Sequence, residues 1–207
     1  MKIKLLIPGY IFLCPAVNAQ YNVTPGGGID KAMLGMPVEK IIAIIGKPSK
    51  IVSCEAEKKD WQNFGYDVTN KLVFSISFDK VHIFNGTTNP YAIWKIYTRN
   101  DTAVIFNLSS YQCSKTVTNK ITISDSLRFY ENMRAVKNVL GYGYEKYVDE
   151  AKNTHIIYKE RGVLFIVNED KVRNVFLFAP LPQQALPPCR QDVYTYAPVI
   201  NLQAHSL

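Results

Sequence analysis

Apolar and polar residues alternate along much of this chain, and two short stretches replace the alternation with helical spacing. In the first, Ile41, Ile42, Ile44 and Ile45 fall along one broad side of a predicted helix of roughly nine or ten residues. Pro37 suits its N1 position, where the missing N–H costs nothing, and Glu39 complements the helix dipole. Gly46 favours the left-handed position beyond the last turn, and Pro48 forbids continuation. Strand patterns follow at residues 50–54, 61–68 and 72–78, with a polar turn at 55–60 and a hairpin turn at 67–71. In the last strand Leu72, Phe74, Ile76 and Phe78 alternate with Val73, Ser75 and Ser77. Residues 81–84, 92–99 and 102–108 continue the strand pattern, with a loop at 85–90 and a linker at 109–119. In the second stretch Leu127, Tyr130, Met133, Val136, Val139 and Leu140 share one helical side. Asp125 or Ser126 is its expected cap, and Gly141 and Gly143 end it. A short strand holding Ile121 and Ile123 precedes it, and strands at 144–148, 155–159, 163–167 and 172–178 come after.

Two landmarks recur at one spacing. Leu72-Val73-Phe74 matches Val163-Leu164-Phe165, and Asp79-Lys80-Val81 matches Asp170-Lys171-Val172 with the same offset. A shared offset points to duplication. The expected architecture is therefore α+β: two tandem helix-plus-antiparallel-sheet repeats, residues 29–108 and 120–179, with the helices on one face of the sheet. Residues 20–28, with their Pro25-Gly26-Gly27-Gly28 run, read as a flexible lead-in. This run lacks the strand-to-helix context of a phosphate loop. The proline-rich segment 180–207 reads as an extended tail, packed in part through Tyr194 and Tyr196.

If Leu72, Phe74, Ile76 and Phe78 face the helices, the opposite parity lines a free sheet face. On the strand ending at Arg99, Trp94 and Ile96 then point inward, and Lys95, Tyr97 and Arg99 point outward as candidate binding residues. Tyrosine and arginine on such a face suit protein recognition.

Lys2 and Lys4 precede an apolar run from Leu5 to Val17, and Val17-Asn18-Ala19 offers small residues at the positions a signal peptidase reads. Export with cleavage before Gln20 is expected, leaving residues 1–19 behind as a signal peptide. A lipid anchor on Cys14 is the rival, weakened by the bulk of Leu13. The run is interrupted by Pro8, Gly9 and Pro15 and is shorter than the roughly 20 residues of a membrane span. Loss of Lys2 and Lys4 lowers the formal charge from +7 to +5. That excess is mild and scattered, unlike the clustered cations of a nucleic-acid binder, so no nucleic-acid partner and weak or no membrane contact are expected.

The mature chain keeps Cys54, Cys113 and Cys189. In an oxidising compartment one pair is expected, and three pairings are open. Cys113 with Cys189 is preferred, because both lie in connecting segments. No cysteine spacing matches a zinc signature, there is no C-x-x-C, and His82, His155 and His205 stand apart, so no metal and no cofactor are expected. A Cys54 or Cys113 nucleophile with His155 as base needs only that the groups meet in space. Neither cysteine, however, is placed by the pattern at a helix N-terminus that would activate it. The chain therefore reads as no enzyme.

The stretch Leu34-Gly35-Met36-Pro37-x-Glu39-x-Ile41-x-x-Ile44-Ile45-Gly46-x-Pro48 resembles the opening of small exported repeat domains. These include the outer-membrane assembly lipoproteins of the SmpA/BamE type and the secreted β-lactamase inhibitor proteins. The resemblance implies helices covering one side of an antiparallel sheet whose other side recognises a partner. This chain departs from the pattern in having Pro37 where Thr is usual and Ser124-Asp125-Ser126 in place of the second Gly-Met opening. The expected function is an exported, non-enzymatic module that binds another envelope or secreted protein on its free sheet face. The alternative is a structural envelope component attached through its tail or a free thiol.

Overall fold

The computed structural model describes residues 21–62, 68–84, 93–109, 121–124, 127–128 and 131–181. Strands predominate, in two sheets. The smaller has five strands in the order β3-β2-β1-β8-β9. These are β1 (Tyr21–Thr24), β2 (Gly28–Ile29), β3 (Ala32–Met33), β8 (Ile121–Ile123) and β9 (Leu127–Arg128). The larger has eight, in the order β10-β11-β12-β13-β7-β6-β5-β4. Its strands are β4 (Lys50–Ser53), β5 (Lys80–Ile83), β6 (Ile93–Arg99), β7 (Thr102–Ser109), β10 (Glu145–Val148), β11 (Thr154–Tyr158), β12 (Val163–Asn168) and β13 (Lys171–Phe178). Every pairing within the larger sheet is antiparallel. Among the described residues four short helices are added: α1 (Val38–Ile45), α2 (Cys54–Gln62), α3 (Val68–Ser75) and α4 (Met133–Leu140).

The expected α+β pair of tandem repeats, with helices on one face, is corrected by this arrangement. The strands from both halves form one continuous sheet joined at β7 and β13, where Leu177 pairs with Phe106 and Val175 with Leu108. The two landmarks that shared an offset do not occupy equivalent places. Leu72-Val73-Phe74 lies in helix α3, whereas Val163-Leu164-Phe165 lies in strand β12. Lys80-Val81 opens β5, one strand from the end of the sheet, whereas Lys171-Val172 opens β13 at its middle. The matched spacing is one of local turn and strand chemistry.

Side-chain alternation carries the large sheet through two cores. Ile96, Phe106, Ile156, Phe165, Val175 and Leu177 point to one side. There they pack with Ile41 and Ile45 of α1, Val136 and Leu140 of α4, and Val23, Ile29 and Ile123 of the small sheet. Tyr97, Ile105, Ile157, Leu164, Phe176 and Phe178 point to the other, where they meet Leu72 and Val73 of α3 and Phe78. Helices thus cover both faces. A strand with two buried faces loses the clean apolar-polar alternation of a one-sided sheet, and β13 and β12 read as near-continuous apolar runs for that reason.

Residues 21–28, read as a lead-in, instead supply β1 and the start of β2, anchored by Val23 with no exposed surface. Gly28 permits the tight return to β3: a Cβ there would lie 2.2 Å from the Ala32 carbonyl oxygen. The first helix runs from Val38, with Pro37 as its cap residue rather than N1, and ends at Gly46 with φ 96°. Helix α4 begins later than the pattern indicates, because Leu127 and Arg128 pair with β8. Its cap is Asn132, whose side chain accepts from the Ala135 N–H. The signal segment, the 85–90 loop, Cys14, Cys113, Cys189 and His205 lie outside the described residues, as do most of the linker and all of the tail beyond Leu181.

Candidate functional site

Of the three residues expected on a free face, only Arg99 is exposed. Lys95 and Tyr97 do have the parity assigned to them, opposite to Ile96, but helices α2 and α3 lie over that side. Lys95 is 7% exposed and Tyr97 not at all. Both converge on Glu57 of α2, itself fully buried: Lys95 Nζ lies 2.6 Å from Oε1 and the Tyr97 hydroxyl donates to Oε1 at 3.2 Å. Trp61, one turn further along α2, donates its indole N–H to the same oxygen at 2.9 Å. Burial, with the Glu57 carboxylate beside it, holds the Tyr97 phenol well above its ordinary range. Lys95 also lies against the Trp61 ring, 5.8 Å from its centre. The expected recognition face is thus, at this point, a polar knot inside the protein.

Cys54 is the first residue of α2, a helix start the sequence pattern did not show. Burial pushes its thiol above the ordinary value, outweighing the nearby Lys58. A thiol held in its protonated form is a poor nucleophile. His155 meets different partners. Its Nε2 lies 2.9 Å from Asp149 Oδ2, and its Nδ1 is hydrogen-bonded to the Thr69 hydroxyl of α3. Ionised Asp149 accepts a hydrogen bond from Nε2–H, and in that neutral tautomer Nδ1 accepts from the Thr69 hydroxyl. This line of three groups ties α3 to the β10–β11 turn. Sequence reading missed it because Thr69 and His155 are 86 residues apart.

Burial raises the Asp149 carboxyl, but hydrogen bonds from His155 and Asn153 outweigh it and hold the group below its ordinary value. A depressed folded value means the ionised form is favoured by folding. The resulting stability is complete above the unfolded carboxyl's pKa of about 4 and is lost as pH falls through the folded value. Urea midpoints measured from about pH 6 down to about pH 2 should therefore fall more steeply for the natural chain than for Asp149→Asn. Parallel curves would remove Asp149 from the acid response.

The exposed chemistry gathers at the opposite end of the large sheet. Among the described residues strand β10 is terminal and pairs with β11 alone. All four of its residues are exposed, Tyr147 at 42% and Val148 at 61%, and neighbouring Tyr142 at 77%. Helix α4 ends at Gly141, whose φ of 81° turns the chain toward β10. The Tyr158 hydroxyl of β11 donates to the Gly141 carbonyl at 2.8 Å and pins that turn to the sheet. Between α4 and strands β10 to β12 runs a cleft of about 300 Å³, lined in part by Lys137, Tyr144, Lys146, Lys152, Glu169 and Asp170.

This cleft is biased toward positive charge. Lys137 sits over the rings of Tyr144 and Tyr142, at 5.4 and 6.0 Å from their centres, and its hydrogen bond to Tyr144 raises its pKa above the ordinary value. The two acids are already engaged: Asp170 accepts the Met133 N–H at the start of α4, and Glu169 lies 3.5 Å from Arg173. Lys146 and Lys152 have no carboxylate at ion-pair distance among the described residues.

No family model matches the chain, and no curated protein matches it. Among solved structures it is similar to an extracellular protein containing an SCP domain from Bacillus anthracis str. Ames, at 12% identity and a TM-score of 0.40. That match covers 70% of this chain and 44% of the other. A cysteine-rich secretory protein from Staphylococcus aureus subsp. aureus Mu50 is similar at 9% identity and a TM-score of 0.38, covering 76% of this chain and 47% of the other. The chain thus spans less than half of either structure, and at these scores the likeness carries no argument about function. The resemblance to SmpA/BamE lipoproteins and β-lactamase inhibitors is corrected here. Among the described residues the repeat fold it implied is absent, and no family model of that kind matches.

Proposed function

We propose that this chain is an exported, non-enzymatic binding module that adds an extended, acidic segment of another envelope or secreted protein to the edge strand β10. The observation that carries the reading is that strand: terminal in its sheet among the described residues and exposed at every residue, Tyr147 and Val148 included, with exposed Tyr142 shortly before it. Sheet edges leave a row of backbone donors and acceptors unpaired, and proteins ordinarily blunt them. Strand addition uses that row for affinity and alternate side-chain sites for specificity. Along β10 Tyr147 and Val148 point to opposite sides and each offers one exposed apolar contact, and Lys137, Lys146 and Lys152 beside them favour an acidic segment. Export rests on the charged, apolar and small-residue order of residues 1–19. Among the described residues no helix is long and apolar enough to cross a membrane.

Short acidic peptides with aromatic residues at every second position are the probe. Binding followed by fluorescence anisotropy should weaken with added salt. It should disappear when alternate peptide amides are N-methylated, since this deletes main-chain donors while keeping side chains. Replacing Tyr142 and Tyr147 together by Ala should cost at least about 2 kcal/mol, roughly 30-fold, of affinity. The same change should alter stability by no more than about 0.5 kcal/mol, as expected of exposed positions. Equal binding of methylated and unmethylated peptides, or no binding by either, would overturn the reading. Concentration-dependent dimerisation blocked by the same substitutions would show instead that the edge receives a second copy of this chain.

A further inference from the structure

The polar knot under α2 contains one more group. Asn107 of β7 is the direct cross-strand partner of Lys95 and has the same parity, so both project beneath α2. Directly opposed residues on one face have Cβ atoms about 4.5–5.5 Å apart, well within the reach of a lysine side chain. Asn107 is 1% exposed, and its Nδ2 donates to the Val175 carbonyl at 3.4 Å. Its Oδ1 is buried with no hydrogen-bond partner, and so is Oε2 of Glu57. Two buried acceptors lacking donors, on the sheet face that carries a buried ammonium, form an expensive arrangement if all three remain as they are.

We propose that Lys95 and Asn107 condense into an intramolecular amide, with Glu57 as the proton carrier. Glu57 Oε1, 2.6 Å from Nζ, takes a proton from the ammonium. The freed amine attacks Cγ of Asn107 while protonated Glu57 donates to Oδ1, giving that lone acceptor its donor as negative charge develops on it. The Cγ–Nδ2 bond then breaks and the proton leaves with the amino group. A Lys ammonium and an Asn amide become one secondary amide and one ammonium ion, with Glu57 restored as carboxylate and no oxidant or co-reactant consumed. Exclusion of water by Trp61, Tyr97 and the surrounding apolar residues of this face protects the product from hydrolysis. The bond joins neighbouring strands β6 and β7 next to the point where β7 meets β13.

The test is mass spectrometry of the purified full chain after unfolding and tryptic digestion. Trypsin cuts after Lys80, Lys95, Arg99 and Lys115 in an unlinked chain. An amide on Nζ blocks the cut at Lys95, so the expected product is a branched species joining residues 81–99 to residues 100–115, lighter than its parts by one ammonia. Reading the branched peptide separates this loss from cyclisation of an N-terminal Gln20, which releases ammonia elsewhere. Glu57→Gln should abolish the branched species, and Lys95→Arg should do the same. Complete cleavage at Lys95 in the natural chain, giving only linear peptides, would overturn the proposal without reference to the folding of any variant. Persistence of the branch in Glu57→Gln would remove Glu57 from the chemistry.

Discussion

Glu57→Ala should lower stability by about 3–5 kcal/mol, read as a drop in the urea midpoint with little change in slope. The natural side chain is fully buried and receives Lys95, Tyr97 and Trp61 on a single oxygen. Truncation removes the carboxylate that faces the Lys95 ammonium at 2.6 Å, in a place where Lys95 is only 7% exposed. Deleting one member of a buried pair costs more than the pair is worth, because the survivor keeps its desolvation penalty. The paired change Glu57→Leu with Lys95→Met removes both charges and, like Glu57→Ala, forms no Lys95–Asn107 amide, so it should be more stable than Glu57→Ala by about 0.5–3 kcal/mol. If the single and double variants prove equally unstable, apolar packing of α2 rather than charge compensation holds this region.

The same knot shows where sequence reading succeeds and where it stops. The parity of β6 was legible: Ile96 lies with α1 and α4, while Lys95 and Tyr97 lie on the other side. What covers that other side was not. The residues that became α3 satisfy two periods at once. Leu72, Phe74, Ile76 and Phe78 alternate as a strand does, while Thr69, Leu72, Val73 and Ile76 recur as on a helix. Short apolar runs cannot be assigned by period alone, and here tertiary packing chose the helix. Helix α2 was hidden for a different reason. Apart from Cys54, Ala56 and Trp61 it is polar and charged, so its sequence reads as a solvated turn, and the burial of Glu57 against a lysine 38 residues away, with Cys54 and Trp61 packed on the core, gives it a fixed face. The strands of the second half were legible almost to the residue because Val163–Asn168 and Lys171–Phe178 are dense in branched and aromatic residues. Their order in the sheet was not, since pairing of β13 with β7 links segments on either side of the linker and leaves no local signal. The exposed edge at β10 shares that difficulty: a strand's pattern predicts the strand, and only the sheet order reveals that no described residue pairs with its outer side.

The seam between β7 and β13 makes the second large effect predictable. Phe106 is fully buried on the face shared by α1, α4 and the small sheet, and it pairs across the seam with Leu177. Phe106→Ala should cost about 3–5 kcal/mol, combining lost transfer free energy with the cavity that a close-packed interior cannot fill. The form of the loss is as informative as its size. One core contains residues of α1 and β6 from the first half and α4, β11, β12 and β13 from the second, so no natural boundary divides it. A two-state domain transmits such a loss to every probe equally. Trp61 fluorescence, which reports the first half, and hydrogen exchange of the β12 amides, which reports the second, should therefore shift by the same free energy. Independent repeats would let the β12 amides keep their protection when Phe106 is truncated, and that outcome would return the molecule to two separately folding halves.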